Sequence, residues 1–152
     1  MRNRSTMLVV ALVLALALPA AAADGEAFQL EALDGSGTLE PGNLESGAVI
    51  MVFWAGWSPR CRDIVERTNE IVDEWGDRAR VITVNFQEDR DAVAEFIDGE
   101  LRANTYLDED GSFSKQHTMT SLPGLLIYRD GEVAFRGKLL PDSSGLIAHT
   151  LD

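Results

Sequence analysis

Apolar residues run without interruption from Ala48 to Trp54 (Ala-Val-Ile-Met-Val-Phe-Trp), a stretch of strand length rich in β-branched and aromatic side chains. Such a run predicts a central strand covered on both faces. Arg80–Phe86 (Arg-Val-Ile-Thr-Val-Asn-Phe) predicts a second strand. Between the two, Ile64, Val65, Ile71, Val72 and Trp75 recur at helical spacing among acids and arginines, so the longest helix is expected over Pro59–Trp75. Ser58 stands where an N-cap belongs, with Pro59 at the first helical position, and Gly76 supplies a stop. A shorter amphipathic helix is expected over Asp89–Ile97, bounded by Gly99.

The remaining patterns are shorter. Phe28, Leu30 and Leu33 precede the turn signal Asp34-Gly35, and Gly37, Pro41, Gly42 and Gly47 divide the next segment into short strands and turns. Ala103–Leu107 reads as a short strand and Ser112–His117 as one helical turn. Leu125–Arg129 and Glu132–Arg136 are strands separated only by Asp130-Gly131, a strong hairpin signal, and Ser143–Leu151 reads as a short closing helix. The order β-α-β-α, then β-β-α, describes an α/β sandwich: a mixed central sheet with helices on both faces. At 152 residues there is room for one such domain.

Residues 1–23 stand apart. Arg2 and Arg4 precede an uncharged run from Met7 to Ala23, Pro19 breaks the run near its end, and Ala21-Ala22-Ala23 offers the small residues a signal peptidase reads. We read this segment as a signal peptide cleaved after Ala23. The competing reading, an uncleaved anchor, needs about 20 apolar residues. The domain is then 24–152, exported to the periplasm or secreted, with no stable membrane association. The net charge is −12, and losing Arg2 and Arg4 makes it more negative still. Nucleic acid is thereby an unfavourable partner. An exported protein is free to use disulfides, yet this chain has one cysteine, Cys61.

Two blocks carry a resemblance. Phe53-Trp54-Ala55-Gly56-Trp57-Ser58-Pro59-Arg60-Cys61-Arg62 resembles the active-site segment of thioredoxins, where the motif is Phe-Trp-Ala-x-Trp-Cys-x-x-Cys. Ser121-Leu122-Pro123-Gly124, with the hairpin after it, resembles the same family's cis-proline loop. Together they cover most of Phe28 to Leu140 and resemble the exported, TlpA-like branch of the thioredoxin superfamily, whose members are thiol–disulfide oxidoreductases. The resemblance implies a thioredoxin fold. It also implies that Ser58 occupies the place of the nucleophilic cysteine and that Cys61 is the residual thiol, matching the more buried second cysteine. Trp57, Leu122 and Pro123 would border a groove for an extended peptide or a thiol-containing protein segment.

The departures from the motif matter as much. A serine hydroxyl has a far higher pKa than a thiol and forms no disulfide, so attack on a substrate disulfide from position 58 is lost. Val52 stands where thioredoxins place a buried carboxylate that moves a proton at the second cysteine, and valine cannot do this. Ser58 alone reads as a helix cap, and Cys61 either as a small buried hydrophobe or as a thiolate favoured by Arg60 and Arg62. His117 and His149 are expected at the surface, and Glu88–Asp91 and Asp108–Asp110 as solvated acids. One cysteine and two distant histidines supply no metal-ligand set, no glycine loop suits a phosphate, and no cofactor is expected. Two functions stay open: a relative without dithiol exchange, serving as a binding or accessory module in redox homeostasis, or a single-thiol oxidoreductase working through mixed disulfides at Cys61.

Overall fold

A computed structural model describes residues 27–152. The signal segment read over residues 1–23, and its cleavage point, lie outside the described residues. The strands are β1 (Leu30–Ala32), β2 (Thr38–Leu39), β3 (Ala48–Trp54), β4 (Arg80–Phe86), β5 (Asn104–Asp108), β6 (Gly124–Arg129) and β7 (Glu132–Lys138). The helices are α1 (Ile64–Trp75), α2 (Arg90–Ile97), α3 (Ser112–Gln116) and α4 (Ser143–Leu151). One mixed sheet orders the strands β2-β1-β5-β4-β3-β6-β7. The β3, β4 and β5 ladders are parallel, and the pairings of β3 with β6, β6 with β7, β1 with β5 and β1 with β2 are antiparallel.

The apolar run of β3 is explained by its place. With β4 on one side and β6 on the other, alternate residues feed two separate cores. Ile50, Val52 and Trp54 join Leu125, Ile127, the apolar stripe of α1, Val93 and Ile97 of α2, and Ile147 of α4. Val49, Met51 and Phe53 join Leu126, Tyr128, Ile82, Val84 and Phe113 of α3. Each fully buried side chain of this size is worth about 1.5–3 kcal/mol, against about 1 kcal/mol for a typical hydrogen bond, so the strand is held chiefly by what its faces cover.

Local chemistry sets the boundaries. Asp89 caps α2 by accepting from Ala92 N–H at 2.9 Å, and α2 ends at Asp98 and Gly99, both with positive φ. In the hairpin, Asp130 (φ 49°) and Gly131 (φ 86°) both take the left-handed region, the requirement of a tight two-residue connection. One expectation is corrected. The helix predicted from Pro59 does not run continuously: Pro59–Cys61 is a 3₁₀ turn and α1 begins at Ile64. Pro59 has no N–H and fixed φ, and Cys61 N–H closes the short i→i+3 bond to Ser58 O at 2.9 Å.

Candidate functional site

Beyond β3 the chain turns through Ala55, Gly56 and Trp57 to Ser58. Fully buried Trp54 anchors the start of this turn, its indole N–H donating to Thr83 Oγ1 at 3.1 Å, while Thr83 donates to Thr105 Oγ1 at 2.9 Å. Gly56 N–H donates to Glu88 Oε2 at 2.6 Å, and Asn85 Nδ2 donates to the same oxygen at 2.7 Å. A Cβ on Gly56 would lie 2.9 Å from the Phe96 ring and 3.0 Å from Glu88 Oε1, so a larger residue would push the turn off α2. Glu88 is therefore not a solvated acid; it is half-buried and positions the turn through charge-assisted bonds. Its only sequence signal is its place two residues beyond β4, which does not by itself reveal the donor it meets.

Ser58 sits at the N-terminal end of the 3₁₀ turn with extended backbone, and is buried. Its hydroxyl makes no capping hydrogen bond, which corrects the expectation of an ordinary helix cap: Pro59 brings no N–H, and Cys61 N–H is taken by the Ser58 carbonyl. Cys61, one short turn later, is 0% exposed and belongs to the apolar cluster of Val52, Trp54 and Ile64. Val52 is equally enclosed, so no carboxylate faces the thiol from β3. Arg60 and Arg62 are exposed on either side of Cys61 in sequence.

Across from this turn lies the segment from His117 to Gly124. His117 is buried, not a surface residue: its Nδ1 faces Phe113 O at 3.0 Å and its Nε2 faces Tyr128 Oη at 2.6 Å. A carbonyl can only accept, so Nδ1 carries the proton and Nε2 accepts from the Tyr128 hydroxyl. Burial is the main cause that lowers the His117 pKa; the Phe113 carbonyl and Asp108 act upward and Arg136 acts downward. Burial also raises the Tyr128 pKa. Asp108, expected as a solvated acid, is 1% exposed and accepts from Phe113 N–H at 3.1 Å and Ser114 N–H at 2.8 Å, fastening the start of α3. His149 is exposed on α4.

The Leu122–Pro123 peptide bond is cis. Gly124 comes next because nothing larger fits: a Cβ there would lie 2.5 Å from Met119 Cε and 2.9 Å from Ser121 O. Between this segment and the Ser58 turn runs an open groove of about 530 Å³. Trp57, Ser58, Pro59 and Arg60 form one wall, Met119, Thr120, Ser121 and Leu122 the other, and Phe86 and Ser114 complete the lining. Trp57 is 59% exposed, the most open of the large apolar side chains among the described residues. Three sequence-predicted site residues, Trp57, Ser58 and Leu122, are thus brought together. Cys61 and Pro123 are buried behind the groove and do not line it.

The sequence profile of the AhpC/TSA family matches residues 21–150. The chain belongs to the AhpC/TSA family. Thioredoxin 1 of Synechococcus elongatus is 29% identical over 90 residues, 59% of this chain and 64% of that protein. The thioredoxin of Bacillus subtilis is 24% identical over 87 residues, 57% of this chain and 64% of its own length. The chain therefore spans less than two thirds of the length of these curated relatives. Among solved structures, a thiol:disulfide interchange protein DsbE from Chlorobium tepidum superimposes with a TM-score of 0.69 at 20% identity, covering 83% of this chain and 94% of that one. StoA from Bacillus subtilis superimposes with a TM-score of 0.64 at 19% identity, covering 83% and 96%. This AhpC/TSA chain has the thioredoxin fold.

Against that family background, what this member's site can do chemically is limited by its side chains. The groove presents hydroxyls, an aromatic face and one guanidinium, and its only nearby thiol is enclosed by apolar neighbours. No group of three or more His, Cys, Asp or Glu side chains among the described residues is placed to hold a metal ion. No helix of the described residues is long and apolar enough to cross a membrane.

Proposed function

We propose that this AhpC/TSA-family protein is exported and has lost dithiol exchange, acting instead as a binding or accessory module in periplasmic redox homeostasis. Its groove holds an extended peptide or thiol-containing protein segment without exchanging disulfides with it. The observation that carries this reading is the placement of residue types: Ser58 lines the groove where attack would have to begin, while the chain's one cysteine is fully buried behind it. Disulfide exchange requires a thiolate to reach a sulfur of the substrate in line, and a hydroxyl at position 58 does not supply one. A buried thiol packed against Val52 and Trp54 behaves as a small hydrophobe.

The export half of the proposal rests on the residue pattern of Arg2 to Ala23. The site half is tested by measuring reduction of a protein disulfide in the presence of dithiothreitol. The parent protein should not exceed the uncatalysed rate, and Ser58→Cys should. Turnover by the parent overturns the reading in favour of a single-thiol enzyme working through Cys61. Alkylation of native Cys61 in step with pH, well below the unfolding transition, would point the same way.

A further inference from the structure

The groove differs in charge from the rest of the molecule. On the far side of Met119–Ser121 lies a second hollow, of about 250 Å³, which shares those three residues and is lined in addition by Arg136 and Lys138 of β7. Across both hollows the charged lining residues are Arg60, Arg136 and Lys138, with no carboxylate. The chain has 25 acidic and 13 basic residues, so a concave surface of cations alone runs against its composition. Two other hollows among the described residues conform to the composition. The cleft between α1 and α4 carries Asp63, Glu66, Glu70 and Glu74 against Arg67, and the one beside β1 and β5 carries Glu31, Asp108, Glu109 and Asp110.

Arg60, Arg136 and Lys138 are exposed, and none takes part in the ion pairs of the described residues, which use Arg67, Arg78, Arg90 and Arg102. They are free to meet an incoming anion. Beside them Trp57, Phe86, Met119 and Leu122 offer an apolar bed of a kind that takes one large side chain. At its edge Ser114, 2% exposed, has an Oγ without a hydrogen-bond partner. At physiological salt, charges beyond about 8 Å are largely screened, so these local cations outweigh the distant net negative charge for a segment already in the groove.

We infer that the occupant of the groove is an acidic extended segment: one large apolar or aromatic side chain anchored at Trp57 and Leu122, with carboxylates reaching Arg60 on one side and Arg136 and Lys138 on the other. This rests on the proposed peptide-binding reading and specifies the partner's chemistry. Net charge alone argues for a basic partner, whereas the surface at the groove selects against one.

The test uses three short acetylated, amidated peptides, each with a single phenylalanine, flanked by glutamates, by lysines or by glutamines. Titration calorimetry at about 150 mM salt, where long-range repulsion is screened, should give binding of the glutamate peptide about tenfold tighter than the lysine peptide. Reversing charge with Arg136→Glu and Lys138→Glu together, both on an exposed edge strand, should remove that preference. Binding of all three peptides with equal affinity overturns the charge assignment and leaves the groove intact. Binding of none of them overturns the groove reading itself, and the inference with it.

Discussion

The two walls of the groove differ in where their anchoring bonds lie. The Ser58 turn is positioned from behind, by Trp54, Glu88 and the apolar cluster around Cys61. The His117–Gly124 wall is fastened by buried polar groups: Asp108 on two backbone N–H groups, and His117 between Phe113 O and Tyr128 Oη. The bonds that hold the Ser58 turn run through the Trp54 indole and the Gly56 N–H and leave the residue 58 side chain out, which is how serine can stand there without disturbing the fold. The wall bonded through Asp108 and His117 does not tolerate change there so readily, because each lost partner leaves a buried group unsatisfied.

The strongest way to break this contrast is Asp108→Ala. Two buried N–H groups lose a charged acceptor, and urea unfolding should show a loss of about 3 kcal/mol. A loss under about 1 kcal/mol would mean that the loop wall does not depend on this carboxylate. Next comes Gly124→Ala, where the new methyl meets Met119 and the Ser121 carbonyl. A destabilisation of about 2 kcal/mol is expected from overpacking against backbone, and a neutral result would show that the cis-proline segment can shift to make room.

A smaller effect concerns pH. Burial lowers the His117 pKa, so the unfolded chain takes up that proton first as pH falls. The stability tied to the neutral ring is fully present above about pH 6.5 and is lost below it. His117→Gln should therefore lose less melting temperature than the parent between about pH 7.5 and pH 5, and parallel slopes would show that the buried ring contributes no such term. The smallest effect belongs to the Ser58 wall. Ser58→Ala should cost under about 0.5 kcal/mol, against about 1 kcal/mol for a working helix cap, because the hydroxyl makes no capping bond. A full cap penalty would place Ser58 among the directionally held residues.

Much of the fold was legible because it depends on local pattern. β3 and β4 occupy the predicted stretches to the residue, as does α4, since continuous apolar runs and helical spacing reflect which faces must be covered. The Asp130-Gly131 hairpin was readable from two residues that tolerate positive φ. The error at Pro59 is also local in origin: the pattern of Ile64 to Trp75 marks a helix, yet does not say whether its first turn closes as α or as 3₁₀.

By itself, then, the order of residues determined the α/β sandwich, the single thiol, the serine at position 58 and the valine at position 52, because these depend on composition and on periodicity along the chain. Tertiary structure alone decided that Glu88 grips Gly56 N–H, that Asp108 and His117 are interior, and that Arg60, Arg136 and Lys138 gather on one concave surface. Gly56 and Glu88, like Arg60 and the β7 cations, are far apart in sequence, while Asp108 and His117 meet nearer partners; in both cases hydrogen bonds, desolvation and electrostatics act through space and leave no period along the chain.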